Sequence, residues 1–203
     1  MSDGTAVRLE PHEIALLGDG PRAAVTVAVV ELYLRGLVEP DLPGTVRAGV
    51  ADAVEAMQPP SPLAAAVHGC LRAPAAPKAL VKDPEVRLAV AVMRIPLAEA
   101  GLLRCPLLGP TRAARRHVRA LRDVHPLPAS RQGMSDHERL LLVALHGEAA
   151  LRLLVPRFAL RAGLVRRATV GRAALFKDSP RGTNSGGGAF LSCGGGGGGG
   201  GGE

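Results

Sequence analysis

Aromatic side chains are almost missing from this chain, which has no tryptophan, one tyrosine and three phenylalanines in 203 residues. A surface on which bases or sugars stack needs aromatic faces, so the composition excludes that kind of binding platform. Sandwiches and barrels of β-strands rely on aromatic and β-branched residues, which argues against an all-β fold. Segments rich in alanine and leucine, separated by regular glycines and prolines, instead favour a mainly α protein.

Cysteines and long apolar runs are also scarce. The three cysteines, Cys70, Cys105 and Cys193, do not form a disulfide framework, so a reducing compartment is expected. No window of about 18–20 residues is free of charged and turn-forming residues, as a membrane span requires. The first residues lack the basic and apolar segments of a signal peptide. These features together predict a cytoplasmic protein.

The alternation of apolar stretches with glycine and proline predicts four parts. Two small winged-helix-like modules are expected over 9–57 and 61–125, followed by a helical extension over 135–177. Residues 178–203 are rich in glycine and include nine glycines in succession. Since glycine offers no apolar face to offset the entropy of ordering, this tail is predicted to be disordered.

An internal repeat supports the two modules. Residues 32–38 (Leu-Tyr-Leu-Arg-Gly-Leu-Val) align with residues 97–103 (Leu-Ala-Glu-Ala-Gly-Leu-Leu) at an offset of 65. A weaker third copy lies at 160–165. A helix that ends in glycine and continues into a hairpin is how the last helix of a winged helix passes into its wing. The repeat therefore predicts two helix–hairpin junctions.

Individual helices are marked by their end residues. Asp83 is expected to cap a helix that starts at Pro84, and Pro96 to kink or divide it. Asp136 is expected to cap a helix that runs over 138–154. A basic helix is predicted over 111–125.

The basic helix is the best candidate functional site, because its spacing places five arginines along one side: Arg112, Arg115, Arg116, Arg119 and Arg122. Residues 1–103 have a net charge of −3, and residues 104–181 have a net charge of +11. Such a face suits an anionic partner such as nucleic acid. A competing explanation is a solvated basic face, because 22 of the 25 basic residues are arginine, as is typical of GC-rich genomes.

The helices that occupy the recognition position of each module contain few residues that read base edges. They offer Arg22, Thr26, Glu31 and Arg35 in the first module, and Glu85, Arg87, Arg94 and Glu99 in the second. Base-specific contacts rely on arginine, asparagine and glutamine at high density. Sequence-specific DNA reading is therefore not expected.

Residues for catalysis or metal binding are sparse. His68-Gly69-Cys70 is the one close histidine–cysteine pair, whereas a zinc site needs three or four ligands. Asp136 and Glu138 flank His137, but carboxylates at a helix start are explained by capping and by the helix dipole. Hydrolase, phosphate-loop and metalloprotease motifs are missing. We therefore expect a non-enzyme that uses no metal and no cofactor.

The first module opens on a motif that resembles the start of an uncharacterised family of actinobacterial membrane proteins. The matching pattern is Pro11-x-Glu13-Ile14-Ala15-x-Leu17-x-x-Gly20-Pro21, with Asp19 where the family has glycine and Arg22 one place early. The resemblance implies a second such module, a glycine-rich tail that contains a cysteine, and association with a membrane. Family members have hydrophobic spans that this chain lacks. The family has no assigned activity, so it implies no catalytic residues.

Three functions are weighed from the sequence. The first is a protein-interaction or scaffold module with an unknown protein partner. The alternative is a winged-helix nucleic-acid binder that uses the basic helix 111–125, and an enzyme comes last. For the tail we expect Cys193 to react faster with alkylating reagents than Cys70, which is expected to pack as a small apolar residue.

Overall fold

The computed structural model of the chain describes residues 9–49, 59–104 and 109–165. Within these ranges helices dominate and strands are few, which confirms the predicted mainly α class. The glycine-rich tail and the last part of the extension lie outside the described residues. Cys105 and Cys193 lie outside them as well, and with Cys193 the prediction for its reactivity.

The described part of the chain contains nine helices and two short antiparallel hairpins. The helices are α1 (Pro11–Asp19), α2 (Pro21–Leu34), α3 (Pro62–Gly69), α4 (Pro77–Leu80), α5 (Pro84–Glu99), α6 (Arg112–Val124), α7 (Asp136–His146), α8 (Glu148–Leu154) and α9 (Pro156–Arg161). The hairpins pair β1 (Val38–Pro40) with β2 (Val46–Ala48), and β3 (Leu103–Arg104) with β4 (Gly109–Pro110).

Helices α2, α5 and α9 end in the same way, at the three places that the sequence repeat marks. After each of them a glycine has a positive φ, at Gly36, Gly101 and Gly163. The following N–H then donates to a carbonyl five residues earlier, which defines a Schellman motif. These hydrogen bonds join Leu37 to Leu32 (2.8 Å), Leu102 to Leu97 (2.9 Å) and Leu164 to Ala159 (2.9 Å). A hairpin follows α2 and α5, as predicted.

Two predictions about helix ends in the extension are wrong. The helix expected over 138–154 is two helices, α7 and α8, because Gly147 between them has a φ of 54° and breaks the backbone pattern. Ser135 rather than Asp136 caps α7, since its hydroxyl accepts the Glu138 N–H at 3.3 Å. Serine and aspartate are both good caps, and the sequence places them side by side.

Helix α5 begins where it was predicted to begin and is not divided at Pro96. The Asp83 carboxylate accepts the Glu85 N–H at 2.9 Å, which confirms the cap. Pro96 lies inside the helix without dividing it. It falls in the last turn, where the loss of one hydrogen bond to the Val92 carbonyl costs less than in the middle of a helix.

Helix α2 is the centre of the apolar core. Eight of its residues are buried, and it packs against α1, α3 and α7. A helix that is apolar on nearly all sides needs neighbours on nearly all sides. The buried apolar residues of the two predicted modules and of the extension belong to one contiguous cluster.

Two further contacts join distant segments of the chain. Val46 of β2 exchanges two hydrogen bonds of 2.9 Å with Ala75, between α3 and α4. The Tyr33 ring stacks on Phe158 of α9 with 3.9 Å between ring centres. These contacts connect the segment before residue 50 to both later parts of the described chain. The predicted module boundaries stay predictions.

Candidate interaction site

Helix α5 presents an apolar face to solvent. Leu88, Val92 and Ile95 are 60%, 55% and 56% exposed, and their spacing of four and three residues places them on one side of the helix. Its opposite side contributes Val86, Val90 and Leu97 to the core. We call the three exposed side chains the α5 ridge. Single exposed apolar residues are common, whereas these three adjoin one another along one side of a helix.

A cavity of about 800 Å³ borders the ridge, between α5, α3 and the start of α1. Its apolar lining includes Leu88, Val92 and Met93 from α5 and Leu63 from α3. We call this cavity the acidic groove, since four glutamates line it: Glu10, Glu13, Glu31 and Glu85. The volume is within the range of ligand-binding clefts.

A buried polar network lies at the floor of the acidic groove. Glu31 is 3% exposed on the otherwise apolar α2, and His12 of α1 is 6% exposed. The Glu31 carboxylate accepts the Ser61 hydroxyl at 2.7 Å and the Ser61 N–H at 3.0 Å. His12 Nε2 lies 2.9 Å from the same carboxylate, and Arg35 Nη2 lies 3.0 Å from it. The network thus ties α1, α2 and α3 together.

The surroundings of Glu31 keep its carboxyl group ionised. Burial alone would raise its pKa, but the hydrogen bonds from His12 and Ser61 outweigh burial and lower the pKa from 4.5 to about 2. A buried carboxylate is tolerated when its oxygens are paired in this way.

The same network contains a serine, a histidine and a glutamate, but their arrangement differs from a catalytic triad. In a triad one ring nitrogen of the histidine faces the serine and the other faces the acid. Here His12 Nε2 faces both Ser61 (3.3 Å) and Glu31 (2.9 Å). The Ser61 hydroxyl also accepts the Ala64 N–H as the cap of α3. This geometry positions helices and does not activate Ser61 as a nucleophile.

Sequence reasoning did not identify this network. It treated Glu31 as a poor reader of base edges and did not single out Ser61. The available signal was one glutamate in the apolar run of α2, since a charge there requires buried partners. Those partners come from 19 residues before and 30 residues after Glu31, distances over which a sequence pattern gives no register.

The five predicted arginines occupy two different environments. Arg112, Arg115, Arg116 and Arg119 are exposed and together line one shallow depression on α6. Arg122 turns away from them: its Nε donates to the Leu145 carbonyl at 2.5 Å, and its Nη2 lies 3.6 Å from Asp19. The structure therefore brings four of the five together.

Arg112 and Arg115 lie in the first turn of α6, where the helix dipole is unfavourable for a cation, and Arg116 and Arg119 follow in the second turn. No ion pair to any of them occurs among the residues that the structure describes. Their mutual repulsion is therefore reduced by solvent or by an anionic partner.

The candidate metal ligands are not gathered. Among the described residues, no group of three histidine, cysteine, aspartate or glutamate side chains is placed to hold a metal ion. Cys70 packs partly buried against the core, and burial together with the neighbouring Asp83 carboxylate raises the pKa of its thiol to about 11. A thiol with so high a pKa is poorly nucleophilic at neutral pH.

Comparison with known proteins adds no relative. No family model, no curated protein and no solved structure matches this chain. In the described part of the chain, every helix is too short or too polar to cross a bilayer.

Proposed function

We propose that this protein is a non-catalytic protein-interaction module and that its partner docks on the α5 ridge. The observation that carries the proposal is the row of three large apolar side chains that α5 leaves in solvent. Burying the remaining exposed area of each would stabilise a complex by on the order of 1 kcal/mol. Apolar side chains at the centre of a patch, with charged residues around it, are typical of protein interfaces.

The place of α5 in its module supports a protein partner over a nucleic acid. It precedes the β3–β4 hairpin, as a recognition helix precedes its wing. A DNA-reading helix exposes side chains that hydrogen-bond to base edges. The outer face of α5 instead exposes Leu88, Val92 and Ile95.

The proposal is tested by site-specific photo-crosslinking in cells that make the protein. A photoreactive residue at Ala91, which is exposed beside the ridge, should capture one defined protein. The double substitution Leu88→Ser and Ile95→Ser should abolish that product. Two equally exposed apolar residues elsewhere, Leu42 and Val124, provide the matched double-serine control, which should leave the product unchanged. No product, or a product that survives loss of the ridge, would refute the proposal.

A second candidate function is nucleic-acid binding through α6. The observation that favours it is the set of four exposed arginines at the start of the helix that pair with no carboxylate of the described residues. Four phosphate contacts predict a slope of about −3 to −4 when log K is plotted against log salt concentration.

Salt-titrated binding to random duplex DNA tests this second function. Changing all four arginines to glutamine should remove the slope. The control variant replaces four other exposed arginines of the described chain with glutamine, at Arg72, Arg87, Arg104 and Arg131. Its net charge therefore equals that of the first variant. Equal losses in both variants would mean that only overall charge attracts DNA.

We also propose a cytoplasmic location and a relationship to the actinobacterial family. Few cysteines and the lack of a spanning helix in the described residues support the location. The motif that runs from Pro11 to Pro21 supports the relationship. Fractionation of cells that make the full chain tests the first proposal, since recovery in the membrane pellet would contradict it.

A further inference from the structure

The α5 ridge separates two concave surfaces of opposite charge. On one side lies the acidic groove, and on the other a smaller depression that contains Arg87 and Arg94. Leu88 borders both. A partner that covers the ridge therefore meets carboxylates along one flank and guanidinium groups along the other.

The carboxylates of the acidic groove are not all equivalent. Glu31 is neutralised by Arg35 and is already hydrogen-bonded by Ser61, so it has little left to offer a ligand. Glu10, Glu13 and Glu85 make no ion pair with any residue of the described chain. Glu10 and Glu13 form the capping box of α1 and Glu85 lies in the first turn of α5, so helix dipoles stabilise these carboxylates. Their charges beside the apolar wall are still not paired with a cationic side chain of the described residues.

We infer that the acidic groove and the α5 ridge bind a basic amphipathic helix of a partner protein. This inference rests on the proposed docking function and names the chemistry of the partner. Apolar side chains one turn apart on the partner would pack on the ridge and into the groove, in the helix-in-groove mode. Lysines or arginines on the adjoining flank would face Glu10, Glu13 and Glu85. These charges select the partner and orient it more than they add affinity.

A second copy of this chain fits the surface less well. A two-fold contact would place ridge against ridge and leave the groove beside it unfilled. Three exposed side chains also supply only a fraction of the roughly 800 Å² per subunit that a standard interface buries. A separate helix can enter the groove and cover the ridge at once.

Two synthetic helical peptides test the inference on the full-length protein. Both peptides carry leucines at i, i+4 and i+7, which form the same apolar face. The residues along one side of that face are lysines in the first peptide and glutamates in the second. The lysine peptide should bind about tenfold more tightly at low salt, with a difference that shrinks as salt screens the charges. The dissociation constants are measured by fluorescence anisotropy.

Two variants assign the binding to this surface. The triple substitution Glu10→Gln, Glu13→Gln and Glu85→Gln keeps an acceptor oxygen at each site and should make the two peptides bind equally. The control triple, Glu39→Gln, Asp123→Asn and Glu148→Gln, removes the same charge away from the groove and should preserve the preference. The ridge variant Leu88→Ser with Ile95→Ser should weaken both peptides.

Each other outcome has a distinct meaning. If both peptides bind the natural sequence equally and both lose binding in the ridge variant, the docking function is kept. The inference that the partner is basic is then overturned. Binding of the lysine peptide that survives in both groove and ridge variants would overturn the assignment to this surface. If neither peptide binds, the inference of a basic helical partner is overturned, whereas the docking function is decided separately by crosslinking at Ala91. Self-association of the protein alone, lost with the ridge, would make a second copy the occupant and overturn the inference.

Discussion

Glu31 lies on α2 among alanine, valine and leucine side chains that fill the core. Its carboxylate receives hydrogen bonds from Ser61 and contacts His12 and Arg35. Because these residues come from three separate segments, the position of Glu31 determines how α1, α2 and α3 meet. The groove that we propose as the docking site has this network as its floor, so its shape depends on Glu31.

The substitution Glu31→Gln should destabilise the fold by about 3 kcal/mol, because it removes a buried negative charge that His12 and Arg35 contact and turns an amide donor toward the Ser61 donors. Urea unfolding followed by circular dichroism measures the loss. Glu39→Gln is the matched control, since Glu39 pairs with Arg47 at 3.1 Å in a half-exposed position and should cost less than about 1 kcal/mol. Equal losses in the two variants would contradict the role of the buried network.

The stability that Glu31 provides should disappear in acid. Its pKa is about 2 in the folded chain against an ordinary 4.5, so the unfolded state takes up the proton first as the pH falls. The contribution is complete above pH 4.5 and is lost as the pH falls toward 2. The difference in unfolding free energy between the natural sequence and Glu31→Gln should therefore shrink over that interval. A difference that stays constant with pH would exclude this linkage.

At the scale of elements, three helices share one kind of C-terminal turn but differ in what surrounds it. A Cβ added at Gly101 would meet nothing within 4 Å, whereas one added at Gly163 would come within 2.9 Å of the Gly44 backbone. The close approach is fixed by a 2.7 Å hydrogen bond from the Gly44 N–H to the Arg161 carbonyl. The third turn is thus also a packing contact.

Alanine at the two glycines should separate these effects. Gly101→Ala should cost about 1 kcal/mol for the left-handed backbone alone. Gly163→Ala should cost clearly more, because its Cβ collides with backbone that cannot move aside. Gly69→Ala, at the end of α3 with open space around it, is the control and should be neutral or slightly stabilising. Thermal unfolding ranks the three, and equal midpoints for the variants of Gly101 and Gly163 would refute the packing argument.

Local rules explain which elements were foreseen. The glycines and prolines at the ends of elements predicted α2, α5 and both hairpins, because the conformation of a turn depends on residues that are adjacent in the sequence. The split at Gly147 was missed, since an isolated glycine weakens a helix without necessarily ending it. The α5 ridge was missed for another reason: apolar residues on two sides of a helix do not reveal which side the core covers. The groove depends on contacts between segments and has no local pattern.

At the scale of the whole molecule, one apolar cluster extends through the described chain. Tyr33, the single tyrosine of the sequence, stacks on Phe158 where α2 meets α9. Since the chain has no tryptophan, tyrosine fluorescence reports on this one contact, while far-ultraviolet circular dichroism reports on all helices.

The two signals should therefore unfold together in urea, with the same midpoint, as one cooperative unit requires. Phe158→Leu should shift both midpoints equally, and the exposed Leu160→Ala should shift neither by much. A tyrosine transition that precedes the helical one would mean that the α9 end detaches from the rest as a separate unit.

The contacts that join residues before 50 to residues after 58 have a practical consequence. If the chain is cut between these two parts, the same contacts should hold the fragments together. The hydrogen bonds between Glu31 and Ser61, and those between Val46 and Ala75, join the first part to the second. Two fragments, 1–54 and 55–203, should therefore reassemble when mixed and recover the helical spectrum that neither has alone. The cost is the translational entropy of bringing two chains together. If one half of a split reporter is fused to each fragment, the reporter signal would measure how strongly the fragments associate. The signal would then show how much each substitution in the core weakens that association.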